Sequence, residues 1–134
     1  MLKILVAEDD PHILRVISMW LSRQGHEVIE TRNGAEALEK FRDQRPAIVV
    51  TDVNMPVMDG LALLNAIADE PHQPRGVVVL TNRWDHREIA QRLEASRVEV
   101  VPKPFSPSRL AALIDQLGSA DQVEAGTNPE AVDG

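Results

Sequence analysis

Apolar residues in this chain follow two alternating rhythms. Short apolar-rich runs, LKILVA (2–7), HEVIET (26–31), AIVVTD (47–52), GVVVLT (76–81) and VEVVP (98–102), read as five strands. Between them apolar positions recur every three or four residues, as on one face of a helix. Ile13, Leu14, Ile17, Trp20 and Leu21 mark the first helix, opened by Asp10-Pro11 and closed at Gly25. Trp20 lies on that apolar stripe and reads as core. Asn33-Gly34 opens a second helix through Ala37, Leu38 and Phe41, stopped before Pro46. Leu61, Leu64 and Ile67 mark a third that lasts until Pro71, and Ile89 and Leu93 a fourth. Ser106-Pro107 opens the last, with Leu110, Leu113, Ile114 and Leu117 inside and Gly118 at its end.

Five strand–helix units in 134 residues predict an α/β fold, a doubly wound parallel sheet with helices on both faces. Parallel strands point the same way, so the polar residues that end them converge on one edge. Composition narrows the chemistry available there. There is no cysteine, which removes disulfides and thiolate zinc sites. No run approaches the roughly 18–20 apolar residues of a membrane span, and the opening Met leads into a strand, so no membrane contact and a cytoplasmic location are expected. A net charge of −7 disfavours nucleic-acid binding by this domain. Asp121, Glu124, Glu130 and Asp133 fall in a base-free stretch with little to bury. The expected organisation is therefore a folded domain over 1–118 and a disordered acidic tail, or linker start, over 119–134.

The strand ends carry the candidate chemistry. Strand one runs into Glu8, Asp9 and Asp10, strand three into Asp52, strand four into Thr81, and strand five to just before Lys103. Each residue alone has an ordinary reading: Asp10 caps a helix, Thr81 ends a strand, Lys103 is solvated. Together they place crowded carboxylates, a hydroxyl and an amine on one edge. Crowded carboxylates repel unless a cation offsets them, and an all-oxygen set suits a hard ion such as Mg²⁺. A metal, an ammonium and a hydroxyl around one carboxylate are what phosphoryl transfer to it requires. His12, His26, His72 and His86 lie on different units without ligand spacing and read as surface residues.

Four motifs in this order, ILVAEDDP, DVNMPVMDG, LTN and PKPF, resemble the response-regulator receiver domain of two-component signalling, over residues 2 to about 118. The resemblance implies a flavodoxin-like strand order 2-1-3-4-5, shared with chemotaxis regulators. It implies that Asp52 accepts a phosphoryl group from a histidine kinase or histidine phosphotransfer protein. Asp9 and Asp52 would bind Mg²⁺ directly, Glu8 through water, and Asn54 through its backbone carbonyl. Thr81 would be the switch hydroxyl, Lys103 the phosphoryl-contacting cation, and Lys103–Pro104 a cis bond. The domain would signal to a downstream protein or a fused effector domain, as a switch and not as an enzyme.

Departures from the family pattern fall on the output side. Val100 stands where an aromatic residue is usual three positions before the lysine, and Asn82, Arg83 and Trp84 follow the switch threonine. These four are the output candidates, with Trp84 the nearest large side chain to Thr81 in sequence, three residues on. Two other readings compete. A degenerate receiver would serve only as an interaction module. A haloacid-dehalogenase-type phosphatase would also use a strand-end aspartate, but the usual second Asp two residues on is Asn54 here, and the 134 residues offer no cap domain.

Overall fold

Both rhythms become structure with boundaries set by local chemistry. The structure, a computed structural model, describes residues 1–82 and 98–126. In chain order the elements are β1 (Lys3–Ala7), α1 (Pro11–Arg23), β2 (Glu27–Thr31), α2 (Gly34–Gln44), β3 (Ile48–Asp52), α3 (Gly60–Ala68), β4 (Gly76–Asn82), β5 (Val98–Lys103) and α4 (Pro107–Gly126). The five strands form one parallel sheet in the order β2-β1-β3-β4-β5, the order expected. The helix expected around Ile89 and Leu93 lies outside the described residues, as do the output candidates Arg83 and Trp84.

Three helices begin where a short polar side chain satisfies free backbone donors. Asp10 Oδ1 accepts from the N–H groups of His12 and Ile13 at 2.9 and 3.3 Å. Asn33 Oδ1 accepts from Glu36 N–H, and Asp59 Oδ1 from Ala62 N–H, each at 2.8 Å. Every residue of β3 is buried, as the central strand of a sheet covered on both faces should be.

Alternation along the strands sorts the core into two layers. Ile4, Val6, Ile48, Val50, Val78 and Leu80 pack with Leu14, Ile17 and Leu21 of α1 and Leu110, Ala111 and Ile114 of α4. Leu5, Ala7, Val49, Val77 and Val79 pack on the other face with Ala37 and Phe41 of α2 and Leu63 and Ile67 of α3. Trp20 departs from expectation. The buried stripe of α1 is Leu14, Ile17, Ser18 and Leu21, and Trp20 sits half-buried at its flank.

Two histidines read as surface residues are tied into the fold instead. His26 Nδ1 accepts from Leu2 N–H at 3.0 Å while its Nε2 lies 2.8 Å from Asp115 Oδ1, so one ring ties the residues leading into β1 and β2 to α4. His72 Nε2 meets the Pro46 carbonyl at 2.8 Å, beside the Phe41 ring. The last helix also runs further than expected, through Gly118 to Gly126. Gly118 marks a close approach: a Cβ there would stand 2.5 Å from Leu2 Cδ1. Ala, Asp, Gln and Glu after it are compatible with helix, so a single interior glycine, unfavourable by about 1 kcal/mol, does not stop it.

Candidate functional site

Register brings the predicted residues to the carboxyl edge of the sheet. Ala7 pairs with Thr51, so Glu8 and Asp52 leave adjacent strands side by side. Asp52 pairs with Leu80, which puts Thr81 one step beyond it, and Asn82 pairs with Lys103. Backbone bonds carry the edge outward: Glu8 N–H donates to Thr31 O at 3.1 Å and Val53 N–H to Leu80 O at 3.0 Å. Gly60 lets the loop after β3 close tightly. Its N–H donates to Val53 O at 2.8 Å, and a Cβ on it would collide with the Asp52 carbonyl.

At this edge Lys103 Nζ stands 3.2 Å from Asp52 Oδ1 and 3.3 Å from Glu8 Oε1. Glu8 is fully buried, and its other oxygen accepts from Asp10 N–H at 3.1 Å. Asp10 therefore caps α1, as its place before Pro11 predicts, and also contributes a backbone donor to Glu8. One carboxylate oxygen from each of Glu8, Asp9 and Asp52 lies within 4.8 Å of the others, with Asp9 exposed between two buried neighbours. The Lys103–Pro104 peptide is cis, as expected. Asn54 is exposed in the loop that follows Asp52.

Burial and charge compete at each ionisable group here. Burial, assisted by Asp9, raises the Asp52 carboxyl above its ordinary value, against the opposing pull of Lys103. Glu8 is raised for the same leading reason, opposed by the Asp10 N–H and by Lys103. For Lys103 burial works to lower the ammonium, but Asp52 and Glu8 outweigh it and leave it raised. Two crowded carboxylates thus remain short of positive charge even with the lysine between them. Their oxygen-only donor set fits a hard divalent cation.

Thr81 and Val100 complete the described part of the edge. The Thr81 hydroxyl is fully buried and has no hydrogen-bond partner among the described residues. Such a group is unfavourable by about 1–3 kcal/mol. Thr81→Val, nearly the same shape without the hydroxyl, is accordingly expected to leave the unphosphorylated domain as stable or more stable, by about 1 kcal/mol. Urea unfolding checks this, and a clear loss of stability would show that the hydroxyl is already satisfied. Val100 pairs with Val79 and packs, half-buried, against the α2–α3 side of the core.

One feature of the loop after β3 was invisible in the sequence. Met58 N–H donates to Pro56 O at 2.7 Å across Val57, whose φ is +69°. That is a γ-turn of the rarer, strained hand. A left-handed backbone costs a non-glycine residue about 1–2 kcal/mol, and it is most unusual at a β-branched one.

The sequence profile of the response regulator receiver domain matches residues 4–115. The chain belongs to that family. It is 38% identical over 122 residues, 90% of its own length, to a probable transcriptional regulator, ycf27, of Pyropia yezoensis. It is 37% identical over 111 residues, 83% of its length, to the transcriptional regulatory protein CseB of Streptomyces coelicolor. This receiver domain chain spans about half the length of those two relatives, 49% and 47%. Among solved structures, the receiver domain of the Francisella response regulator 1452 superposes with a TM-score of 0.82 at 25% identity, covering 90% of this chain and 99% of that one. The fold expected from the sequence is thus also that of the family, one of signalling domains. Among the described residues, no helix of this receiver is long and apolar enough to cross a membrane.

Proposed function

We propose that this receiver takes a phosphoryl group from a histidine kinase or histidine phosphotransfer protein onto Asp52. One observation carries the reading: Asp52 is the buried strand-end carboxylate held 3.2 Å from Lys103, within the Glu8–Asp9–Asp52 cluster. An Asp52 oxygen attacks phosphorus, forming the P–O bond while the P–N bond breaks and its electron pair returns to the imidazole. Lys103 steadies the charge on the phosphoryl oxygens. Thr81, whose hydroxyl has no partner among the described residues, donates to one of those oxygens. Asp9, Asp52 and Glu8, with the backbone carbonyl of Asn54, would hold Mg²⁺. When bound, the ion supplies further positive charge against the same oxygens.

The altered Thr81 donor would then be read by a downstream protein or a fused effector domain. The names of the relatives, which are transcriptional regulators roughly twice this length, favour an effector concerned with transcription. Nucleic acid would then be met by that effector and not by this acidic domain. Soluble signalling of this kind is consistent with a cytoplasmic site. The acidic stretch over 119–134 would serve as the link outward.

Incubation with phosphoramidate and Mg²⁺ tests the reading. A stable phosphoryl adduct on Asp52 is expected; steady release of phosphate without it would indicate a phosphatase, and no reaction an interaction module. The metal makes a separate prediction. A ligand that binds only the folded state at 100 times its Kd stabilises by about 2.7 kcal/mol. Melting temperature should therefore climb by several degrees with millimolar Mg²⁺, and Asp9→Ala should lose most of the gain. Indifference of the wild type to Mg²⁺ would rule out the cation site.

A further inference from the structure

A second concave surface lies between α1 and the edge strand β2. It is a depression of about 480 Å³, lined by Arg15, Ser18, Met19, Ser22 and Arg23 of α1 and by Glu30 of β2. That size falls within the range of small-molecule sites. Steps of three and four residues bring the α1 side chains to one side of the helix. None of the six belongs to the Glu8–Asp9–Asp52 cluster.

Two features distinguish it from a plain gap between elements. Ser18 is only 9% exposed, and its hydroxyl has no hydrogen-bond partner among the described residues. A helical serine can satisfy itself on the carbonyl four residues earlier; Ser18 does not. Arg15 and Arg23 are both exposed, and among the described residues neither forms an ion pair, with Glu30 or with any other carboxylate. Eight residues apart on α1, their Cα atoms stand about 12 Å from each other, with Ser18 and Ser22 between them.

The donors decide what fits. Two guanidinium groups and two hydroxyls offer more N–H and O–H groups than a carboxylate can use, and they suit the several oxygens of a phosphate. Glu30 works the other way. Its carboxylate only accepts, so it turns a phosphate toward the arginines and takes hydrogen bonds from hydroxyl groups on the rest of the ligand. Met19 adds an adaptable apolar wall. We propose that this depression binds a sugar phosphate, free or within a nucleotide. Arg15, Arg23, Ser18 and Ser22 hold the phosphate, and Glu30 holds the sugar hydroxyls.

Titrations of the ¹⁵N-labelled chain at constant ionic strength, without Mg²⁺, test it. The four probes are ribose 5-phosphate, AMP, inorganic phosphate and ribose. Saturable shifts of the Ser18, Ser22 and Glu30 amides are expected with ribose 5-phosphate or AMP, and whichever binds tighter identifies the source. Inorganic phosphate and ribose should each bind at least about tenfold more weakly. Joint Arg15→Gln and Arg23→Gln substitution, at two exposed positions, should weaken sugar-phosphate binding at least about tenfold with the fold intact. Ser18→Ala should weaken it about threefold, yet melt about 2–4 °C above wild type because an unsatisfied buried hydroxyl is gone. A purely structural serine would lower the melting temperature instead, and that result would overturn its part in the site. Shifts confined to Glu8, Asp52 and Lys103 would overturn the proposal, as would the lack of saturation with every probe. So would affinity unchanged by loss of both arginines, or inorganic phosphate binding as tightly as the sugar phosphates.

Discussion

Asp52→Asn should abolish phosphoryl uptake while making the metal-free domain more stable. The first effect is total because the amide has no anionic oxygen to attack phosphorus, and no other described carboxylate sits beside Lys103 at the end of the buried central strand. The second follows from the raised Asp52 carboxyl. A carboxyl whose folded-state pKa is raised contributes stability below the unfolded value and loses it as pH rises through the folded value. At neutral pH wild-type Asp52 therefore carries a burial penalty that asparagine lacks, and a gain of about 2–6 °C in Tm is expected. The gap should close as pH falls toward the ordinary aspartate value of 3.8, where both side chains are neutral. Phosphoramidate labelling and thermal melts across pH check the two parts separately. Undiminished labelling of the variant would displace Asp52 as acceptor, and a Tm gap independent of pH would refute the charge argument.

Lys103→Ala should reduce the rate of phosphorylation by about 10²–10³-fold, the usual effect of removing one preorganised contact where charge develops. Mg²⁺ binding should survive, because the three carboxylates that form the cluster are untouched. The metal-free domain should be less stable than wild type, since buried Glu8 would then face Asp52 without the ammonium between them. This loss runs opposite in sign to the Asp52→Asn effect. Rapid-mix labelling with phosphoramidate, alongside a Mg²⁺ titration, separates chemistry from metal binding. A variant that labels at the wild-type rate would make the lysine a bystander despite its 3.2 Å approach to Asp52.

Much of this was legible in the residues, and the exceptions have physical causes. Strands one, three, four and five announced themselves as apolar runs ending in chemistry, and the Asp10, Asn33 and Asp59 caps are local side chain–backbone bonds that sequence encodes directly. The Glu8–Asp52–Lys103 contacts followed because strand ends in a parallel sheet share an edge. What escaped depends on contacts between distant segments. Gly118 looks like a helix terminator until Leu2 is seen lying against it. His26 looks like a surface residue until α4 brings Asp115 to its ring. Trp20 fits the apolar period of α1, yet the buried stripe passes just beside it. Nothing in PVMD marks Val57 as left-handed, since valine is among the residues least suited to that conformation. The loop imposes it from both ends.

The Thr81 hydroxyl, unpartnered among the described residues, bears on how much signal this receiver can carry. A buried donor with nothing to bond defines two populations, one in which it is unsatisfied and one in which an acceptor has arrived. A gain of about 1–3 kcal/mol at that single atom corresponds to a ratio of roughly 5 to 150 between them, the range in which coupled sites usually operate. Val100 cannot swing as an aromatic ring would, but that ratio does not require it to. The equilibrium constant of the switch can be set by one oxygen on β4, leaving the residues around it free to determine which partner reads the result.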